Sequence, residues 1–365
     1  MFRKMYFWLA AVLLIAVSLL VYGCGSASVT GEEGIITGTI YAADGETAIV
    51  GATVYLKSDS TKSTTTDING EFTLEGDWIV AGTYTLVASK GEFILEFSVT
   101  VAESGSTTDG GSQEVTPTDP NATIPDIGVV LKDSGSDTPY DYIQDIITDL
   151  GYSYTTIEVS DFDDYDYIST FEVIFINCSH YAGTALTASG EANLLSFVET
   201  AGQSLYISDW AATYVQEIWP NAVTWYGSTV SNAKVGNIQT LETTVVDTDL
   251  QTVLGKSTAE VYYNLSSWVV ISSEGTGTSV LLSGDPTVYS AYSVNAAQGS
   301  RSRSGMKAAS DDVAATLDAV PLVVKFQPGG ASKGTVIYTT FHNEAQEDEV
   351  TADARKILQD FIFSL

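Results

Sequence analysis

Short runs of alternating apolar and polar residues dominate the chain between residues 34 and 102. A period of two places every second side chain on one face of a strand, and no run here has the longer period of an amphipathic helix. Asn69-Gly70 lies between two such runs and is typical of a tight β-hairpin turn. Roughly seven short strands in so few residues predict a small all-β sandwich over 34–102.

From residue 126 the pattern changes to continuous apolar runs separated by helical stretches. The runs at 127–133 and 172–180 are typical of strands buried on both faces of a sheet. Between them, four apolar residues fall on one face of a helix: Ile143, Ile146, Ile147 and Leu150. This alternation predicts a flavodoxin-like α/β domain with a parallel sheet over residues 126–365.

Two segments separate or interrupt these predicted units. Residues 103–125 are rich in Gly, Ser, Thr, Pro and acids, so we expect a linker between two independent folding units. Residues 221–333 are mostly β and loop, and we expect a β-rich insertion that extends or caps the sheet. A parallel strand at 334–344 and an amphipathic helix at 349–365 then complete the domain.

The predicted sandwich also carries an ordered set of motifs: Gly38, Gly51-Ala52-Thr53-Val54, Thr66-Asp67-Ile68-Asn69-Gly70-Glu71-Phe72 and Gly82-Thr83-Tyr84. This succession resembles the carboxypeptidase regulatory-like domain, a transthyretin-like β-sandwich. The resemblance spans nearly all of 34–102. It implies a spacer module, some of whose relatives share the carbohydrate-binding-like fold.

Composition narrows the class of function. The chain has 365 residues and a formal net charge of −31. A surface this acidic repels the phosphate backbone, so we expect no nucleic-acid partner. The candidate ligand residues are scattered without helical spacing, and we expect neither a metal site nor a cofactor.

The N-terminus has the pattern of an export signal. Arg3 and Lys4 precede an apolar stretch from Phe7 to Tyr22 that is short for a membrane span. Val21-Tyr22-Gly23-Cys24 then resembles the lipobox of bacterial lipoproteins, in which the cysteine is lipidated and becomes the first mature residue. The alternative is an uncleaved anchor helix.

The lipoprotein interpretation divides the N-terminus into a signal peptide at 1–23 and a tether at 24–33. The protein would then face outside the cytoplasm at the cell envelope, on the outer membrane if the organism has one. The membrane would be one partner, through the lipid, and an envelope protein or a glycan is the other candidate partner. With Cys24 lipidated, Cys178 is the remaining cysteine, and no internal disulfide can form.

Ligands of open α/β sheets bind beyond the carboxyl ends of the parallel strands. The predicted strand ends gather most of the chemically distinctive residues of the chain, including both histidines. These residues are Asp133, Cys178, His180, Ser208, Asp209, Trp210, His342, Asn343 and Glu344. We expect Asp133, His180, Ser208, Trp210 and Asn343 to line a ligand cleft.

The segments 173–180, 202–211 and 334–346 resemble the class I glutamine amidotransferase-like fold. Active members end their last strand in Phe-His-Pro-Glu, which provides the histidine and glutamate of a catalytic triad. This chain has Phe341-His342-Asn343-Glu344. Where the family places its cysteine nucleophile on a Gly-x-Cys-x-Gly turn, this chain has Ser208-Asp209-Trp210.

The missing turn leaves two interpretations of the site. In the first, the domain binds a ligand or partner without catalysis, Cys178 is a buried thiol, and His342 is a hydrogen-bonded clamp. In the second, Cys178 or Asp209 acts as the nucleophile of a hydrolase, with His342 as base and Glu344 as its partner.

Overall fold

The computed structural model describes residues 33–131, 141–178, 186–264, 267–289, 313–341, 343 and 351–365. The predicted signal peptide, Cys24 and most of the tether lie outside these residues, as do Asp133, His180, His342 and Glu344. In the described ranges, no helix combines the length and apolar character needed to cross a membrane.

The N-terminal domain is an all-β sandwich of two sheets, as predicted. One sheet has the order β4-β1-β7, with β1 at Gly34–Tyr41, β4 at Glu71–Gly76 and β7 at Thr107–Glu114. The other has the order β3-β2-β5-β6-β8, with β2 at Thr53–Leu56, β3 at Asp59–Thr65, β5 at Gly82–Lys90, β6 at Phe93–Val101 and β8 at Ala122–Thr123. Alternating residues of the two sheets meet in the core, where the rings of Phe72 and Phe97 lie 6.1 Å apart.

The prediction of a linker at 103–125 is wrong. Strand β7 pairs in parallel with β1 from Ile35 opposite Thr107 to Tyr41 opposite Glu114, and β8 pairs with β6. Most side chains of β7 are exposed or half-buried polar groups, because it is an edge strand held by its backbone hydrogen bonds. A strand of this kind has no hydrophobic pattern for sequence analysis to detect.

The second domain is built on a nine-stranded mixed sheet with the order β10-β9-β11-β12-β23-β22-β19-β15-β16. The first five strands are mutually parallel, as predicted for an α/β domain. They span Thr155–Thr156 (β10), Ile127–Val130 (β9), Val173–Ile176 (β11), Ser204–Ser208 (β12) and Val336–Thr339 (β23).

The other four strands of this sheet are antiparallel and come from the segment predicted as an insertion. They are β22 (Val320–Phe326), β19 (Thr278–Gly284), β15 (Gln239–Val245) and β16 (Thr258–Tyr263). The segment also forms two small sheets, β13-β18 and β17-β14-β20-β21. Their strands are Val223–Trp225 (β13), Lys234–Gly236 (β14), Trp268–Val269 (β17), Ile271–Glu274 (β18), Thr287–Tyr289 (β20) and Val313–Thr316 (β21).

Helices cover both faces of the nine-stranded sheet. The described helices are α1 (Ile143–Asp149), α2 (Tyr165–Ile168), α3 (Ala188–Ser196), α4 (Ala212–Ile218), α5 (Val230–Ala233), α6 (Thr248–Leu254) and α7 (Thr351–Ser364). Apolar residues of α1, α6 and α7 join one core cluster, and those of α2 to α5 join a second. The first cluster also includes the core of the sandwich, so it runs through both domains.

The contact between the domains is aromatic at its centre. The ring of Phe93 lies 4.9 Å from that of Tyr152 and 5.0 Å from that of Phe363 at the end of α7. The Tyr152 hydroxyl donates to the Val115 carbonyl at 2.9 Å. Gly91 has a φ of +51°, and a Cβ there would lie 2.4 Å from the Phe363 carbonyl oxygen, so the close approach requires glycine.

An ion pair also crosses this contact. The Lys90 ammonium binds the Asp360 carboxylate of α7 and donates to the Val50 carbonyl at 2.6 Å. Both side chains are about nine-tenths buried, with 13% and 10% of their surface exposed. The two domains are therefore packed against each other, in contrast to the independent folding units expected from the sequence.

We expect Lys90→Met to lower the free energy of unfolding by roughly 3 kcal/mol, because it leaves a mostly buried carboxylate without its partner. Lys57→Met is the matched control, since Lys57 pairs with Glu96 on the surface and its loss should cost no more than about 1 kcal/mol. Urea unfolding followed by circular dichroism measures both. Equal losses in the two variants would contradict a stabilising role for the domain contact.

Candidate functional site

The carboxyl ends of three adjacent parallel strands meet at one edge of the sheet. Ile176 of β11 lies beside Ile207 of β12, and Ser208 of β12 lies beside Thr339 of β23. The residues that follow these positions therefore converge. The structure brings together Cys178, Ser208, Asp209 and Asn343 from the predicted set.

Asp209 adopts a strained backbone conformation directly after β12. Its φ is +39°, and Asp209, Ser228 and Ala319 are the non-glycine residues with positive φ in the described ranges. A 3-10 turn at Asp209–Ala211 follows, and then α4. A sharp, strained turn between a strand and a helix is the backbone arrangement that presents the nucleophile in many hydrolases. We call this turn the elbow, and it forms without the flanking glycines that sequence analysis sought.

The carboxylate of Asp209 is turned inward and is fully buried. Its Oδ1 accepts a hydrogen bond from the Val269 backbone N–H at 2.8 Å, and its Oδ2 accepts one from the Cys178 thiol at 3.6 Å. Its carbonyl accepts a hydrogen bond from the Tyr338 hydroxyl at 3.0 Å, and burial raises the pKa of that phenol well above its usual range. The polar atoms of Asp209 are therefore engaged by the protein itself.

A second buried carboxylate, Asp141, joins the ends of β12 and β23. The Ser208 hydroxyl donates to its Oδ2 and accepts from the Cys178 backbone N–H at 2.7 Å. The Asn343 backbone N–H donates to its Oδ1 at 3.0 Å. Sequence analysis missed Asp141, because a single acid just before a helix resembles an ordinary helix start.

Asn343 ties the segment after β23 to the start of α1. Besides the bond to Asp141, its side-chain amide donates to the Tyr142 carbonyl at 2.8 Å, and its carbonyl accepts from the Tyr142 N–H at 2.6 Å. Proline, which stands here in the Phe-His-Pro-Glu motif, has neither the N–H nor the amide. The clamp that we expected at His342 is thus formed in the described residues by Asn343.

Strands β14 and β17, from the predicted insertion, cover the elbow. Trp210 is 8% exposed, its indole N–H donates to the Ser267 carbonyl, and the Lys234 ammonium lies 3.9 Å from the centre of its ring. Burial lowers the pKa of Lys234, while the negative charge of Asp209 opposes that shift. Ser208 and Trp210, predicted to line an open cleft, lie inside the protein.

The described part of the site contains no group of three His, Cys, Asp or Glu side chains close enough to hold a metal ion. Asn177, which precedes Cys178, is fully buried, and its side-chain N–H group donates to Gln144 at 2.9 Å and to the Asp141 carbonyl at 3.1 Å. The arrangement is a hydrogen-bonded network that joins the strand ends to α1.

The clamp can be tested with a pair of substitutions at one position. Asn343→Ala removes the side-chain bond to Tyr142 but keeps the backbone N–H, and we expect a loss of about 1 kcal/mol in unfolding free energy. Asn343→Pro also removes the N–H that the Asp141 carboxylate accepts, and we expect a loss of roughly 3 kcal/mol. Urea unfolding compares the two, and equal losses would show that the bond to Asp141 contributes nothing.

The comparisons with known proteins separate the two domains. Residues 35–113 match the family model of the carboxypeptidase regulatory-like domain. Among solved structures, the chain is similar to a protein from Bacteroides uniformis described as ThuA-like, at 13% identity, with 65% of this chain and 89% of that chain covered and a TM-score of 0.41. It is also similar to a GMP synthase component from Thermoplasma acidophilum, at 13% identity, with 65% and 92% covered and a TM-score of 0.39. A comparison with curated protein sequences finds no significant match. The carboxypeptidase regulatory-like family model therefore covers the sandwich up to the end of β7, and the α/β domain follows it.

Proposed function

We propose that this chain is a cell-envelope lipoprotein whose α/β domain binds a ligand or partner without catalysing a reaction. The export and lipidation part rests on the basic, apolar and Val-Tyr-Gly-Cys series at the N-terminus. The sandwich would hold the α/β domain away from the membrane. An envelope protein or a glycan is the candidate partner.

The observation that carries the non-catalytic assignment is the buried state of the elbow. A nucleophile must meet its substrate, yet Asp209 is fully buried and Cys178 is 2% exposed. Both oxygens of Asp209 accept hydrogen bonds from the protein. Trp210 and the strands of the insertion occupy the space above the turn, where an active amidotransferase would need an open approach.

A second candidate is a hydrolase that uses Cys178 or Asp209 as nucleophile and His342 as base. Two observations favour it: the strained elbow is retained at Asp209, and the Cys178 sulfur lies 3.6 Å from a carboxylate oxygen. Strain of this kind is found at active sites. This candidate requires β14 and β17 to move away from the elbow, since the thiol is otherwise shielded from substrate.

The two candidates differ in thiol reactivity and in ammonia release. We expect the folded protein to release no ammonia from glutamine, and Cys178 to react with iodoacetamide at least about 100-fold more slowly than it does in the urea-unfolded chain, because the thiol is shielded. Cys178→Ala provides the blank for labelling. Ammonia release that stops in Cys178→Ala or Asp209→Asn would establish the hydrolase and overturn the binding assignment.

Lipidation can be tested independently in bacterial cells. We expect a fatty-acid analogue to label the wild-type protein and to leave Cys24→Ala unlabelled. The chain supplies its own matched control, because Cys178 is its other cysteine and Cys178→Ala should be labelled like the wild type. Label that persists in Cys24→Ala would contradict a lipid anchor at this residue.

A further inference from the structure

A cleft lies between the two domains, away from the elbow. Its volume is about 270 Å³, and both domains contribute to its walls. The sandwich provides Thr47, Ala48, Val50, Ile68 and Lys90, while α6 and α7 provide Val253, Lys356, Gln359, Asp360 and Phe363. Ile68 is 41% exposed, so an apolar side chain faces solvent at the cleft.

The inner wall of the cleft is apolar, with one ion pair beside it. Val50, Val253 and Phe363 are buried hydrophobic side chains. Lys90 and Asp360 bind each other, so their charges offset within the wall. A ligand in the cleft would therefore meet a largely apolar surface on the inside.

The polar groups of α7 at this cleft are different, because they lack protein partners. Neither Lys356 nor Gln359 makes a side-chain hydrogen bond or ion pair with another described residue. The lining holds two lysines against one aspartate, so it is locally positive in a chain of net charge −31. A cationic group beside an apolar pocket favours an anion with an apolar body.

We propose that this cleft binds a small organic carboxylate with an apolar body. The carboxylate would bind the Lys356 ammonium and the Gln359 amide. The apolar body would lie against Val253 and Phe363. Because both domains form the walls, a bound ligand would stabilise the contact between them as well as either domain.

The probe for this site is 8-anilinonaphthalene-1-sulfonate, an apolar anion that fluoresces when it leaves water. The protein is the chain from residue 25 onward, which contains both folded domains. We expect saturable, one-to-one binding of the dye, and we expect octanoate to displace it. Lys356→Glu should weaken dye binding about tenfold or more, since it replaces attraction by repulsion. Gln359→Trp should abolish binding by filling the cleft.

Lys333→Glu is the matched control. It makes the same change of charge on a loop where the lysine donates to the Thr200 carbonyl, outside the cleft, and should change the dye affinity less than about twofold. Circular dichroism checks that each variant is folded. Equal dye binding by Lys356→Glu and the wild type would overturn the proposal, as would the absence of saturable binding. Dye that octanoate cannot displace would overturn the assignment of a carboxylate ligand. None of these results depends on the lipid anchor or on the elbow.

Discussion

A carboxylate that is removed from water must be paired, and this constraint governs the centre of the α/β domain. Asp209 is fully buried at the end of β12. Its partners are a backbone N–H of the segment that covers the elbow and a thiol from the neighbouring strand end. The same hydrogen bonds that make the burial of Asp209 tolerable therefore hold β17 and the end of β11 against the elbow. Removing the cover would expose the charge but would also break these bonds.

Asp141 has the equivalent role for the last strand. Its two oxygens receive the Ser208 hydroxyl and the Asn343 backbone N–H, so one side chain joins the ends of β12 and β23 to the start of α1. Where the family motif has proline, asparagine supplies the donors that this network uses. The departure from the motif and the closed elbow thus belong to one arrangement, in which the strand ends are tied together by polar groups of the protein.

The domain contact gives the sandwich more than a spacer role in the structure. Phe93, Tyr152 and Phe363 form a shared aromatic cluster, and Lys90 pairs with Asp360 across the same contact. The final helix α7 is therefore shared, since one of its faces packs on the nine-stranded sheet and its end packs on the sandwich. This sharing creates the interdomain cleft, whose lining comes from both units. In the lipoprotein proposed here, the α/β domain would follow every reorientation of the sandwich on the membrane.

Periodicity in the sequence determined the two fold classes, because side-chain burial follows the local repeat of strand and helix. The rule that parallel strands end at one edge was enough to bring Cys178, Ser208, Asp209 and Asn343 together. Periodicity could not reveal β7, whose backbone pairs while most of its side chains stay exposed. The partners that close the site are also remote in the chain: Asp209 bonds a residue 60 positions away, Asp141 one 202 positions away, and Lys90 one 270 positions away. Such pairings depend on how the strands are ordered and on which side chains share a buried volume, and only the tertiary structure decides that.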